Sequence, residues 1–231
     1  MTSGTWAPTH CRWTSYRTDT ALNTAHGPLA FSSTSGLSQL ISPFASGFDV
    51  HAHFEAGDAT GTLNLIRKVW GPMRPGQPYY SGATWEALAL NGMPQSIGTS
   101  LAHTWGSGPT SALSKYVLGV RPVEPGYKTW LVEPQPGDLS WATGTVPTPF
   151  GPIAVGWEKD AQGFNLELLV PAGTSGTVGV PVDAAGALLS DNGRTVTGIS
   201  ASKQPNGRSG YVYLQDLKPG AHVIQVTEGK K

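Results

Sequence analysis

The 231-residue sequence has a single cysteine, Cys11, so no internal disulfide framework can brace it. Charge is sparse too: 13% of residues are charged, and fifteen basic residues balance fifteen acidic ones. Without a basic patch or a net charge, the electrostatic footprint of a nucleic-acid or anionic-membrane partner is missing. No apolar run reaches the roughly 18 residues that a membrane-spanning helix needs. The opening residues, MTSGTWAPTHCRW, lack a charged segment followed by an apolar one, so no secretory signal is expected and the compartment stays open. No N-x-S/T sequon occurs.

What the sequence does have is tryptophan, eight of them, with 30 glycines and 19 prolines. An indole is flat, largely apolar and carries one N–H donor, which suits both core packing and the faces of sugars. A neutral, polar partner fits this composition better than a charged one. The length suffices to bury a sizeable core, in one large domain or two.

Residues 1–42 are rich in Thr, Ser, Ala and Gly without sustained periodicity, and read as an irregular N-terminal segment. Ser42-Pro43 then has the form of a helix start, with Phe44, Phe48, Ala52 and Ala56 at four-residue spacing and Gly57 as a stop. Asp58 caps a second helix whose stripe is Leu63, Ile66, Val69 and Trp70, ended by Gly71-Pro72. The pair reads as a helical hairpin. His51 and His53, two apart on the first helix, point to different faces, so they are not expected to share a metal, and no metal or other cofactor is expected. A further helix is expected after Gly108-Pro109-Thr110, with Ala112, Leu113, Tyr116, Val117 and Leu118 inward and Gly119 as its end.

Beyond residues 119–126 the pattern becomes short runs of β-branched and aromatic residues between turn signals, at 128–133, 153–158, 163–170, 177–182, 194–199, 210–214 and 221–227. Asp160-Ala-Gln-Gly163 and Asp191-Asn-Gly193 read as hairpin turns. Such spacing predicts an antiparallel β-sandwich over residues 121–231, following helices over 43–120.

The chemistry concentrates in residues 79–119. There Glu86 directly follows Trp85, and His103 stands two residues before Trp105, among glycines and prolines that mark junctions between loops and helices. Thr84 reads as an N-cap that starts a helix at Trp85. From the residues alone two accounts of Glu86 stand side by side: a first-turn carboxylate that complements the helix dipole, or a catalytic group. His103 is likewise a histidine satisfied at a helix end, or a ligand-binding one.

Three ordered stretches carry a resemblance: SPFASGFDVHAHFEAGDATGTLNLIRKVWGPM, then GATWEAL, then SLAHTWGSGPTSALSKYVLGVRPVEPGYKTWLVEPQPGDLSWATGTVPTPFGPI. Together, over residues of about 28–160, they resemble the C-terminal part of the glycoside hydrolase family 78 α-L-rhamnosidases. The resemblance implies an α-plus-β, multidomain fold: the last helices of an (α/α)6 six-hairpin barrel followed by an antiparallel β-sandwich. It implies inverting hydrolysis of terminal α-L-rhamnosyl residues in glycosides or oligosaccharides, with Glu86 as general base, His103 as a sugar ligand, and Trp85 and Trp105 shaping the pocket. It also implies a general acid in an acidic motif upstream, which this sequence does not contain; before Ser42 the only acidic residue is Asp19. The expectation is therefore a fragment that holds the base but is inactive alone. A non-catalytic carbohydrate-binding or interaction module and a purely structural remnant are the competing expectations.

Overall fold

The Ser42 signal works as its chemistry requires. Its backbone carbonyl accepts from Ser46 N–H and its side-chain oxygen from Ala45 N–H at 3.3 Å, which starts α1, Pro43–Glu55. Asp58 caps α2, Ala59–Trp70, through Gly61 N–H at 3.2 Å, and its backbone carbonyl takes the Thr62 hydroxyl. A computed structural model describes residues 23–30, 36, 38–182 and 187–227, so most of the 1–42 segment lies outside the described residues. Within that segment, Asn23–Thr24 (β1) and Gly27–Pro28 (β2) form a short antiparallel hairpin, where an irregular segment was expected.

The chain divides into two compact units, one of residues Met1–Gly47 and Arg67–Ser107, the other of Phe48–Ile66 and Gly108–Lys231. In the first, Leu29, Ile41, Val69, Met73, Trp85 and Leu88 are buried. The expected Phe44/Phe48 stripe of α1 is not its buried face: both rings are exposed, while Val50 and Phe54 are buried. Four-residue spacing identifies a face, but only the neighbours decide which face is covered.

In the second unit, Gly108–Ala112 (α3) runs into one π-helical turn, Leu113–Val117, closed by Leu118 N–H donating to Leu113 O at 2.9 Å. Phe54 stacks on Tyr116 with centroids 4.8 Å apart. Among the described residues, eleven strands follow in two sheets. The six-stranded sheet has the order β10-β9-β13-β7-β6-β5, from Arg194–Thr195, Leu188–Asp191, Gly220–Thr227, Gly163–Val170, Ile153–Asp160 and Trp141–Val146. The five-stranded sheet has the order β11-β12-β8-β4-β3, from Ile199–Ser200, Tyr211–Leu217, Ser175–Pro181, Thr129–Val132 and Val120–Pro122.

Period-two alternation turns Ile153, Val155 and Trp157, and Phe164, Leu166 and Leu168, to the interior from one sheet, and Trp130, Val132, Val178 and Val180 from the other. The expectation of an all-antiparallel arrangement is corrected at one place: β4 and β8 pair in parallel, Thr129 opposite Ser175 through Val132 opposite Val178. A local hairpin signal cannot report on strands more than forty residues apart. The expected 194–199 strand is two short pieces, β10 and β11, on different sheets. The Asp191-Asn-Gly193 turn forms as read, with positive φ at Asn192 (50°) and Gly193 (75°), as a type I′ hairpin turn demands.

Candidate functional site

The segment around Glu86 is not a helix. Residues 84–88 are irregular, with a bend at Glu86, and pair with a distant segment: Glu86 N–H donates to Ser100 O at 2.9 Å and His103 N–H to Thr84 O at 2.7 Å. The Thr84 hydroxyl donates to His103 O at 2.8 Å, so the expected N-cap is instead a clamp between two loops. Leu88 continues the pairing with backbone bonds to Ile41 in both directions, at 2.8 and 2.9 Å. These long-range bonds satisfy the backbone groups that a helix would otherwise pair locally, which is why the helix-start signal at Thr84 fails. Glu86 therefore has no helix dipole behind it.

The same pairing brings Glu86 and His103 onto one two-loop unit. Glu86 is exposed, and its Oε2 accepts from Ser100 N–H at 3.1 Å. His103 is half-buried, immediately before the 3-10 turn Thr104–Gly106. Its Nδ1 is buried and has no hydrogen-bond partner among the described residues. A buried ring nitrogen without a partner is costly and calls for an explanation.

The two tryptophans separate. Trp85 is only 1% exposed, with its backbone N–H on Met73 Sδ at 3.3 Å, and its Nε1 has no partner among the described residues. It underpins the site and offers no free ring face. Trp105 is 68% exposed; His103 meets it edge-on with centroids 6.0 Å apart, and Phe44 lies against it at 5.1 Å with a 34° tilt. Trp70 braces the turn beneath by donating its Nε1–H to Gly106 O at 2.6 Å. The unit thus presents a carboxylate, an imidazole and an open aromatic shelf on a framework of backbone hydrogen bonds.

The histidines of α1 do point apart. His51 reaches Ser111 Oγ (3.2 Å) and Tyr116 OH (3.4 Å), whereas His53 Nδ1 reaches Asp58 Oδ2 (2.9 Å). Among the described residues, no group of three or more His, Cys, Asp or Glu is arranged to hold a metal ion, and no helix is long and apolar enough to cross a membrane.

Comparison with known proteins gives this geometry a context. Residues 119–194 match the family described as the bacterial alpha-L-rhamnosidase C-terminal domain. Over that stretch the chain is similar to the C-terminal domain of bacterial α-L-rhamnosidases. An α-L-rhamnosidase of Formosa agariphila is 29% identical over 184 residues, which is 74% of this chain and 19% of that protein. One from an Alteromonas species is 41% identical over 56 residues, 24% of this chain and 6% of that protein.

Among solved structures, the α-L-rhamnosidase from Dictyoglumus thermophilum superposes with a TM-score of 0.67 at 18% identity, covering 80% of this chain and 21% of that one. The Streptomyces avermitilis α-L-rhamnosidase, solved as a complex with L-rhamnose, superposes at 0.61 with 20% identity over 79% and 17%. At these identities the likeness is one of fold. The chain spans about a fifth of the length of the Formosa and Dictyoglumus proteins.

Two members of the site were not legible in the sequence. Ser100 acts through its backbone N–H, which no side-chain pattern announces. Phe44 reads in the sequence only as one of four α1 positions at four-residue spacing, and its ring extends the shelf of Trp105.

Proposed function

We propose that this chain forms the base-side wall of an inverting α-L-rhamnosidase pocket at the end of an (α/α)6 barrel. Its α1 and α2 would be the barrel's last helical hairpin, and the two-sheet region a C-terminal β-sandwich. Glu86 is the general base, His103 binds the sugar, Trp105 stacks on it, and Trp85 holds the floor beneath them. The observation that carries this reading is the backbone pairing of 84–86 with 100–103, which sets an exposed carboxylate and an unsatisfied imidazole nitrogen on one rigid unit. With Oε2 held by Ser100 N–H, the exposed carboxylate keeps acceptor capacity for the proton of an attacking water. A rhamnose hydroxyl would give His103 Nδ1 the partner it lacks.

Inversion needs a second carboxyl group about 6.5–9.5 Å away, protonated, on the opposite sugar face. Glu86 is the only acidic residue among residues 23–47 and 67–107, so the described part of this unit contains no such donor. A missing general acid forfeits on the order of 10²–10⁴-fold in rate. A rhamnose-containing glycoside is the proposed substrate, and the chain by itself is expected to be inactive.

The test is hydrolysis of an aryl α-L-rhamnoside by the purified chain, with L-rhamnose binding followed by tryptophan fluorescence. Background turnover together with rhamnose binding that His103→Ala weakens is the expected result. Turnover that Glu86→Gln abolishes would keep the base and refute the missing donor. Turnover indifferent to Glu86→Gln, or no rhamnose binding at all, would overturn the site assignment.

A further inference from the structure

The outer face of the five-stranded sheet, within the second unit, carries an open cavity of about 810 Å³ that the proposed chemistry does not use. Its floor follows from strand register. Period two places Thr129 and Leu131 of β4 on one face, with Trp130 on the other, inward one. The parallel pairing sets Ser175 and Thr177 of β8 beside them, and the antiparallel pairing sets Arg121 of β3 opposite Leu131. A row of guanidinium, aliphatic and hydroxyl groups therefore crosses the sheet. Where β12 slips register between Leu214 and Leu217, Asp216 adopts a positive φ of 56° and lines the same cavity. Bulges of this kind re-aim a side chain.

Three features distinguish this floor from an ordinary solvated sheet face. The first is rigidity: Arg121 and Arg208 both line the cavity, and both are anchored on Glu133, whose side chain is 1% exposed, at 2.8 and 3.4 Å. The second is an unmet need, since Thr129 Oγ1 is buried and has no partner among the described residues. The third is charge. Arg121 and Arg208 set against Glu133 leave one positive charge, Asp216 returns one negative charge, and Glu55 at the rim is paired with Lys115 Nζ at 2.9 Å. The sum is zero. A net-neutral floor with fixed donors and acceptors does not select an ion; it suits a neutral polyhydroxylated molecule, whose hydroxyls both donate and accept.

We infer that the outer face of the five-stranded sheet is a second binding site, for a neutral saccharide, built on Thr129, Thr177, Arg121, Arg208 and Asp216. The inference is independent of Glu86 and His103, none of whose partners it shares.

The experiment is titration of the full chain, isotope-labelled for amide NMR, with a neutral rhamnose-containing oligosaccharide and, separately, with an oligogalacturonate of similar size. The neutral sugar is expected to shift the amides of Thr129, Ser175 and Thr177 with a Kd on the order of 1 mM, and Thr129→Val, which keeps shape but removes the hydroxyl, to weaken this about tenfold. Val123→Arg, at the exposed rim, should also block binding while the melting curve is retained. Glu86→Gln should change nothing at these amides. Shifts confined to His103 and Trp105, no shifts up to on the order of 50 mM sugar, or tighter binding of the anionic oligosaccharide would each overturn the inference.

Discussion

Glu86 and Ser100 bond to each other twice: Glu86 N–H donates to Ser100 O at 2.9 Å, and Ser100 N–H returns a bond to Glu86 Oε2 at 3.1 Å. The first bond fixes the backbone and the second fixes the side chain. The carboxylate is thereby oriented before any substrate arrives, without a helix terminus.

This double bond sets the outcome for Glu86→Gln. The amide oxygen can still accept from Ser100 N–H, so the fold should be unaffected, with unfolding free energy within about 0.5 kcal/mol of the parent by denaturant titration. A larger loss would mean that the charge, rather than the acceptor, holds the loops together.

Asp49, on α1, is half-buried, and burial pushes its carboxyl up from 3.8 to about 6. The folded state then binds the proton more tightly than the unfolded state, so this group's contribution to stability falls as pH rises from 3.8 towards about 6. Asp49→Asn should remove that slope. At pH 7 the variant should be more stable by about 1 kcal/mol, after allowing for the solvent that still reaches the group. Chemical denaturation across that pH range decides it.

His222 gives the opposite sign. Burial alone would lower its pKa, but the Lys218 carbonyl at 2.9 Å and the Asp191 carboxylate at 2.8 Å outweigh burial and raise it above 6.5. Both ring nitrogens face acceptors, so the doubly protonated ring is the form that fits. Its stabilisation is full below 6.5 and is lost as pH rises through the folded-state value. His222→Gln should cost stability in acid and little in alkali; equal cost at both would exclude the ion pair as the cause.

Glu133 is buried beneath two guanidiniums and takes the Tyr213 hydroxyl at 2.5 Å. Burial first, and this bond second, push the Tyr213 phenol well above its usual value, so it stays a donor. Glu133→Gln leaves Arg121 and Arg208 without their shared anion and should cost about 3 kcal/mol in a thermal or chemical melt. It should also loosen the proposed saccharide floor.

Gly119 ends the α3 region with φ at +81°, and a Cβ there would stand 2.3 Å from the Glu133 carbonyl carbon. Gly119→Ala meets both the left-handed strain and that clash, and should lose about 3 kcal/mol or fail to fold. A variant as stable as the parent would show that this backbone crossing has room for a methyl group.

Local chemistry was enough for several elements. Ser42-Pro43 and Asp58 start helices because side-chain oxygens reach free N–H groups within three residues. The Asp191-Asn-Gly193 turn forms because those residues tolerate positive φ. β6 and β7 form because alternation fits one buried face. The motifs around Glu86 and His103 likewise suffice for the family resemblance.

What the sequence could not decide depends on partners far along the chain. Thr84 caps nothing because residues 100–103 compete successfully for the backbone of 84–86. Phe44 is outward, Trp85 inward and Trp105 open for reasons of packing that a four-residue spacing does not encode. The parallel pairing of β4 with β8, and with it the polar row across the sheet, exists only once the two strands meet. Residue identity determined which groups could cap, turn or titrate; the tertiary structure decided which of them are satisfied by the fold and which, like Glu86, remain available.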